Sequence, residues 1–215
     1  MLSKIKQSWK VKDVRRRILY TLMMILIFRI GTTIPVPVNT SIISSLVSGN
    51  SLLALYNMFT GGAFSNFTLF ALGIGPYITA SIIIQLLTVG FESLKELQKS
   101  GEEGRKKIQS ITRYVSIGIA CVLALGVYST IANLGATSGV GTLEKIVVIF
   151  SLVVGSTFCM WLGDQITQKG FGNGVSILIF VNIVSQLPTT LMSLFTLKEA
   201  GEITIIEIAL FLVGT

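Results

Sequence analysis

Few residues of this chain are of a type that does covalent or acid–base chemistry in apolar surroundings. Asp164 and Gln165 adjoin one apolar run, Arg29 lies near the end of another, and Cys121 and Cys159 each sit inside one. The 215 residues include no histidine, which removes imidazole catalysis and most zinc sites. There is no G-x-S-x-G, no pair of intramembrane aspartates and no Ser–Lys arrangement of matching depth. The cysteines lack C-x-x-C spacing and read as small hydrophobes. "GFGNG" lacks the Lys and Ser/Thr of a phosphate-binding loop and reads as a tight turn that starts a helix. Asp164 and Gln165 read as solvated loop groups. Arg29 has two readings: it faces a bundle interior or polar cavity, or it snorkels to the outer interface. No enzyme activity, cofactor or metal is expected.

What remains is a chemistry of shape. "GIGPYI" presents Ile74 and Ile78, and "GNGVSILI" presents Val175 and Ile179. Each pair is spaced i, i+4 and so lies on one helix face. A glycine-rich break immediately precedes each. Periodicity alone leaves two readings open, a cavity lining or ordinary packing against lipid and neighbours.

The elements that carry these pairs are membrane spans. The chain is 51% hydrophobic and 13% charged, against about a quarter charged in soluble domains, and its mean hydropathy is +0.77. Its apolar runs approach the ~20 residues that cross a bilayer. An all-α polytopic membrane protein is expected, with five spans at about 18–34, 76–89, 114–134, 146–163 and 175–195. Residues 1–17 read as a cytoplasmic amphipathic segment, and 196–215 as an external loop with the start of a sixth span. The stretch 52–73 is apolar, uncharged and broken at Gly61–Gly62. Irregular backbone at membrane depth needs protein or a water-filled cavity around it, so it reads as a re-entrant helix or as a folded external cap. Pro76 suits the first turn of the second span. Residues 91–113 form the most charged loop. The net charge of +7 needs no nucleic-acid partner, because Lys and Arg gather in cytoplasmic loops. Their crowding at the N-terminus and in 91–113 places the N-terminus in the cytoplasm.

Four strings then carry a resemblance: "FRIGTTIPVP", "NMFTGGAFSNFTLFALGIGPYITASIIIQLLTV", "GEEGRKKIQSITRY" and "MWLGDQITQKGFGNGVSILIF". In this order they resemble the SecY family, the central subunit of the bacterial protein-conducting channel. The resemblance runs from about Trp9 to beyond Pro188. It implies one half of an inverted-repeat, ten-span channel in the bacterial plasma membrane. Ile74, Ile78, Val175 and Ile179 match its pore ring. The plug matches about 57–72, including Asn57, Met58, Phe59, Thr60, Gly61, Gly62, Ala63, Phe64, Ser65, Asn66 and Phe67. Thr79 and Gln85 match lateral-gate positions. The implied partners are a C-terminal half, SecE-like and SecG-like small subunits, a SecA-type motor or the ribosome, unfolded secretory polypeptide and lipid. The family pattern would place two further ring positions, the opposite gate wall and the main cytosolic loops beyond Thr215. A departure is Val175, where many members have isoleucine. The alternative from the broken helices alone is half of a secondary transporter, which calls for a polar or charged group at the breaks.

Overall fold

The computed structural model describes residues 11–36, 38, 40–133 and 141–199. The first ten residues of the expected surface segment, Pro37, most of the 135–145 loop and all but the start of 196–215 lie outside them. Among the described residues eight helices follow in order: α1 Lys12–Gly31, α2 Thr40–Gly49, α3 Ser51–Phe59, α4 Gly75–Gly90, α5 Glu92–Lys99, α6 Glu102–Asn133, α7 Thr142–Lys169 and α8 Gly174–Glu199. The only extended pairing among the described residues is an isolated bridge between Pro35 and Thr68.

Among the described residues, α6 and the Leu143–Lys169 part of α7 are each long and apolar enough to cross a membrane. A third span is added if α4 and α5 count as one, but the two are bent by 102°. The bend has a local cause. Phe91 is extended at φ −110° and ψ 119°, and α5 beyond it is rich in charge where α4 has none. The expected 91–113 loop is therefore helical: it forms α5 and the first third of α6. Leu94 and Leu97, three apart, gave a helical signal that the surrounding charges and glycines obscured. Helix α1 also runs unbroken from Lys12, with no boundary at residue 17.

The helices pack in sequence, α4 on α6, α6 on α7 and α7 on α8, with α1 against α7. One apolar core joins Ile43, Phe64, Phe67 and Leu72 to Ala124, Val148 and Leu152. A second joins Phe28, Phe70 and Ile74 to Cys159, Leu162 and Leu178. Both draw on residues 60–74, so this segment is the wedge between them.

The wedge bounds the expectation of a re-entrant helix within 52–73: only 52–59 is helical. Helix α3 ends at Phe59, and 60–74 is a chain of turns. Gly61, Gly62 and Gly73 take φ of 68°, 85° and 53°, left-handed values that an ongoing helix cannot contain. The break at Gly73–Pro76 accordingly joins turns to a helix, with Pro76 at the start of α4. The segment is strapped from below: Val36 N–H donates to the Phe67 carbonyl at 3.0 Å and Leu69 N–H to the Ile34 carbonyl at 2.9 Å.

Candidate functional site

The two break-and-isoleucine motifs meet. Helix α4 begins at Gly75 with proline in its first turn. Helix α8 begins at Gly174, after Gly172 at φ 71°, and the Asn173 side chain accepts from the N–H groups of Val175 and Ser176 at 3.0 and 3.3 Å. That is side-chain capping of orphan helix donors. Ile74 is buried, and Ile78 and Val175 pack partly buried on the same core.

Two cavities flank this meeting point. One, of about 360 Å³, is lined by Ile74, Ile78, Thr79 and Ile179 together with Tyr56, Thr60 and Asn182. The other, of about 310 Å³, is lined by Ile78, Val175 and Ile179 together with Gln109, Asp164 and Asn173. Ile78 and Ile179 belong to both walls. Ile74 faces only the first cavity and Val175 only the second. The four residues thus form an apolar partition at the boundary the two cavities share. The transporter alternative calls for a polar or charged group at the breaks; the one carboxylate lining these cavities, Asp164, is already held by Arg113 and Gln109.

Among the expected gate residues, Thr79 is exposed beside the first cavity, and its hydroxyl donates to the Gly75 carbonyl at 3.1 Å. Gln85 is also exposed. Its Nε2 donates to Ser81 Oγ at 3.3 Å, and it faces a third, larger cavity of about 670 Å³. The structure does not bring these two into one space.

The expected plug residues divide. Ala63, Phe64 and Phe67 are buried in the cores, whereas Met58, Phe59 and Asn66 are exposed. Phe67 is fully buried at φ 43°, a conformation that costs energy for a side chain of this size and persists only where its surroundings impose it. Asn57 Oδ1 accepts from Ser65 N–H at 2.9 Å, and the Ser65 hydroxyl donates to the Gly62 carbonyl at 3.1 Å. Ser156 of α7 donates to the Gly73 carbonyl at 3.0 Å, and Tyr56 to the Leu72 carbonyl at 2.9 Å. Gly31 leaves room for the Phe70 ring, and Gly155 for the Leu69 carbonyl.

Two polar groups differ from the sequence reading. Asp164 is buried inside α7, not a solvated loop group. Its Oδ2 meets Arg113 Nη2 of α6 at 2.7 Å, and its Oδ1 accepts from Gln109 Nε2 at 2.9 Å. Gln165, half-buried, accepts from the Tyr20 hydroxyl at 3.1 Å. Arg29 reaches inward, donating to the Val181 carbonyl of α8 at 2.7 Å; the snorkelling alternative fails. Asn182 and Gln186, beyond Ile179 on α8, were missed. Their spacing from Val175 and Ile179 continues one helix face, a signal present in the sequence.

A family model described as SecY matches residues 68–215. The chain belongs to the SecY family. It is 38% identical over 200 residues to the protein translocase subunit SecY of Rickettsia typhi, covering 89% of this chain and 46% of that protein. With the protein translocase subunit SecY of Escherichia coli K12 it shares 39% over 198 residues, covering 89% and 45%. The chain spans about half the length of these curated relatives. In fold it is similar to Sec61 in the canine ribosome–channel complex, with TM-score 0.61 and 24% identity over 82% of this chain and 38% of that one. It is also similar to a SecY structure described by the plug domain's stabilising of the closed translocation channel. There the TM-score is 0.64, with 21% identity over 91% of this chain and 43% of that one. The SecY-family membership and the apolar helices make this a membrane protein.

Proposed function

We propose that this chain supplies one half of a protein-conducting channel. It forms five membrane spans from α1, α4, α6, α7 and α8, with the 57–72 segment as plug and α4 as one wall of the lateral gate. The observation that carries the reading is the shared partition: Ile78 and Ile179 line both cavities. A short apolar constriction between wider spaces gates by dewetting. Branched aliphatic side chains offer a passing polypeptide no hydrogen bond and no charge, so they yield to any sequence without holding it. The relatives named as translocase subunits support the same reading.

On this reading the chain works with a matching C-terminal half and SecE-like and SecG-like small subunits in the bacterial plasma membrane. A SecA-type motor or a ribosome feeds it unfolded secretory polypeptide, and its N-terminus is cytoplasmic. Thr79 and Gln85 contribute polar groups to the gate at different depths. The test uses a channel completed by the C-terminal half and reconstituted in vesicles. Replacing Ile78 and Ile179 together with serine wets the constriction and raises resting ion conductance. Unchanged conductance with intact assembly reduces these residues to packing and ends the pore assignment.

A further inference from the structure

On α8, Val175, Ile179, Asn182 and Gln186 follow at alternating spacings of four and three, which keeps them on one face. The first two build the partition. The next two meet the wedge. Asn182 is 2% exposed, and its Nδ2 donates to the Phe59 carbonyl at 2.9 Å. Phe59 is the last residue of α3, and the last four carbonyls of a helix lack intrahelical partners. Three of the four at this end are served locally: Tyr56, Asn57 and Met58 accept from the N–H groups of Thr60, Gly62 and Gly61. The fourth is served by Asn182, from another helix more than a hundred residues away.

The other end of the same amide is unserved. Asn182 Oδ1 is buried without a hydrogen-bond partner. It faces Gly61, where an added Cβ would lie 2.7 Å from it. Both Gly61 and Gly62 have left-handed φ, so the turn that presses on Asn182 is one that glycine alone makes freely. A buried acceptor with no donor opposes the state that buries it.

We infer that Asn182 is the latch of the 57–67 segment, a positioning residue that holds with one atom and opposes closure with the other. Nδ2 caps α3 and seats the Gly61–Gly62 turn beside the first cavity. Oδ1, buried against Gly61 with no protein donor, makes the latch weaker than its one hydrogen bond alone would make it. The latch itself is a property of this fold; its role in setting resting closure rests on the channel reading above.

Hydrogen exchange on the purified full chain in lipid nanodiscs tests it. Asn182→Leu fills the space but donates nothing, so amides of residues 60–66 exchange at least ~10-fold faster while those of α6 and α7 keep their rates. Asn182→Ala, which removes the amide without adding bulk or touching the turn, gives the same local pattern and stands in if the leucine variant does not fold. Unchanged exchange over 60–66, or equal acceleration throughout the protein, overturns the latch. The same variants are then placed in a channel completed by its C-terminal half. Faster local exchange with raised resting leak supports both the latch and its role in closure. Faster local exchange with no change in leak keeps the latch and overturns its role in a channel.

Discussion

The Arg113–Asp164 pair yields a prediction with a sign that depends on geometry. The two side chains are unequally buried, at 38% and 6% exposure. Breaking a fully buried pair by removing one partner costs ~3–5 kcal/mol, because a charge is left uncompensated. Arg113→Leu leaves Asp164 in that position. Only the Gln109 amide remains to it, so the full range applies. Asp164→Leu leaves Arg113, whose side chain is more than a third exposed although its Nε is buried. Screening then reduces the expected cost to about 2 kcal/mol, roughly a thirty-fold change in the folding equilibrium. The double replacement places two aliphatic side chains opposite each other and recovers most of the loss. Reversible denaturant unfolding in mixed micelles, followed by circular dichroism and arranged as a double-mutant cycle, measures all three. If Asp164→Leu costs as much as Arg113→Leu, or coupling stays below about 0.5 kcal/mol, the pair does not join α6 to α7 as argued.

Gly155→Ala sets a Cβ against the Leu69 carbonyl of the wedge, and backbone cannot rotate aside. A loss of ~1–3 kcal/mol is expected by thermal unfolding in detergent, and a neutral result means the wedge does not bear on α7. Single cysteines at Ser100 and Leu143, in a background lacking Cys121 and Cys159, flank the α6 span. An impermeant maleimide should reach Ser100 only from the cytoplasmic side and Leu143 only from the outside; the reverse pattern overturns the orientation drawn from Lys and Arg.

The sequence was most informative where a local rule had a local consequence. Pro76 opens α4 and the GFGNG turn opens α8 because proline's φ and glycine's freedom act within a few residues. The i, i+4 pairs met because each already lay on one face. Residues 60–74 were legible as a break but not as turns. The three positive-φ glycines end helices, yet the path between them is set by the strap to Ile34 and Val36 and by Ser156, from distant parts of the chain. Asp164 was misjudged for the same reason: Gln109, one of its partners, lies 55 residues away. Periodicity within one helix carries no information about which neighbour turns an arginine toward it. Asn182 and Gln186 were readable as polar positions on an apolar face, but not that a glycine turn would meet them.

The separation of Arg113 from Asp164 also has a consequence in time. Ribosomes add ~5–20 residues each second, and about fifty residues separate the two members of this ion pair. For roughly 3–10 s a nascent chain holds the arginine with its counter-ion not yet made. During that interval the guanidinium stays hydrated beside the charges of residues 102–113, so α6 can cross the membrane but has no ion pair to fix it against a neighbour. That contact forms only with α7, when the aspartate arrives. The two helices are therefore expected to pack as a hairpin late, and a nascent chain halted just short of Asp164 should leave α6 in the membrane with Arg113 open to a water-soluble arginine reagent.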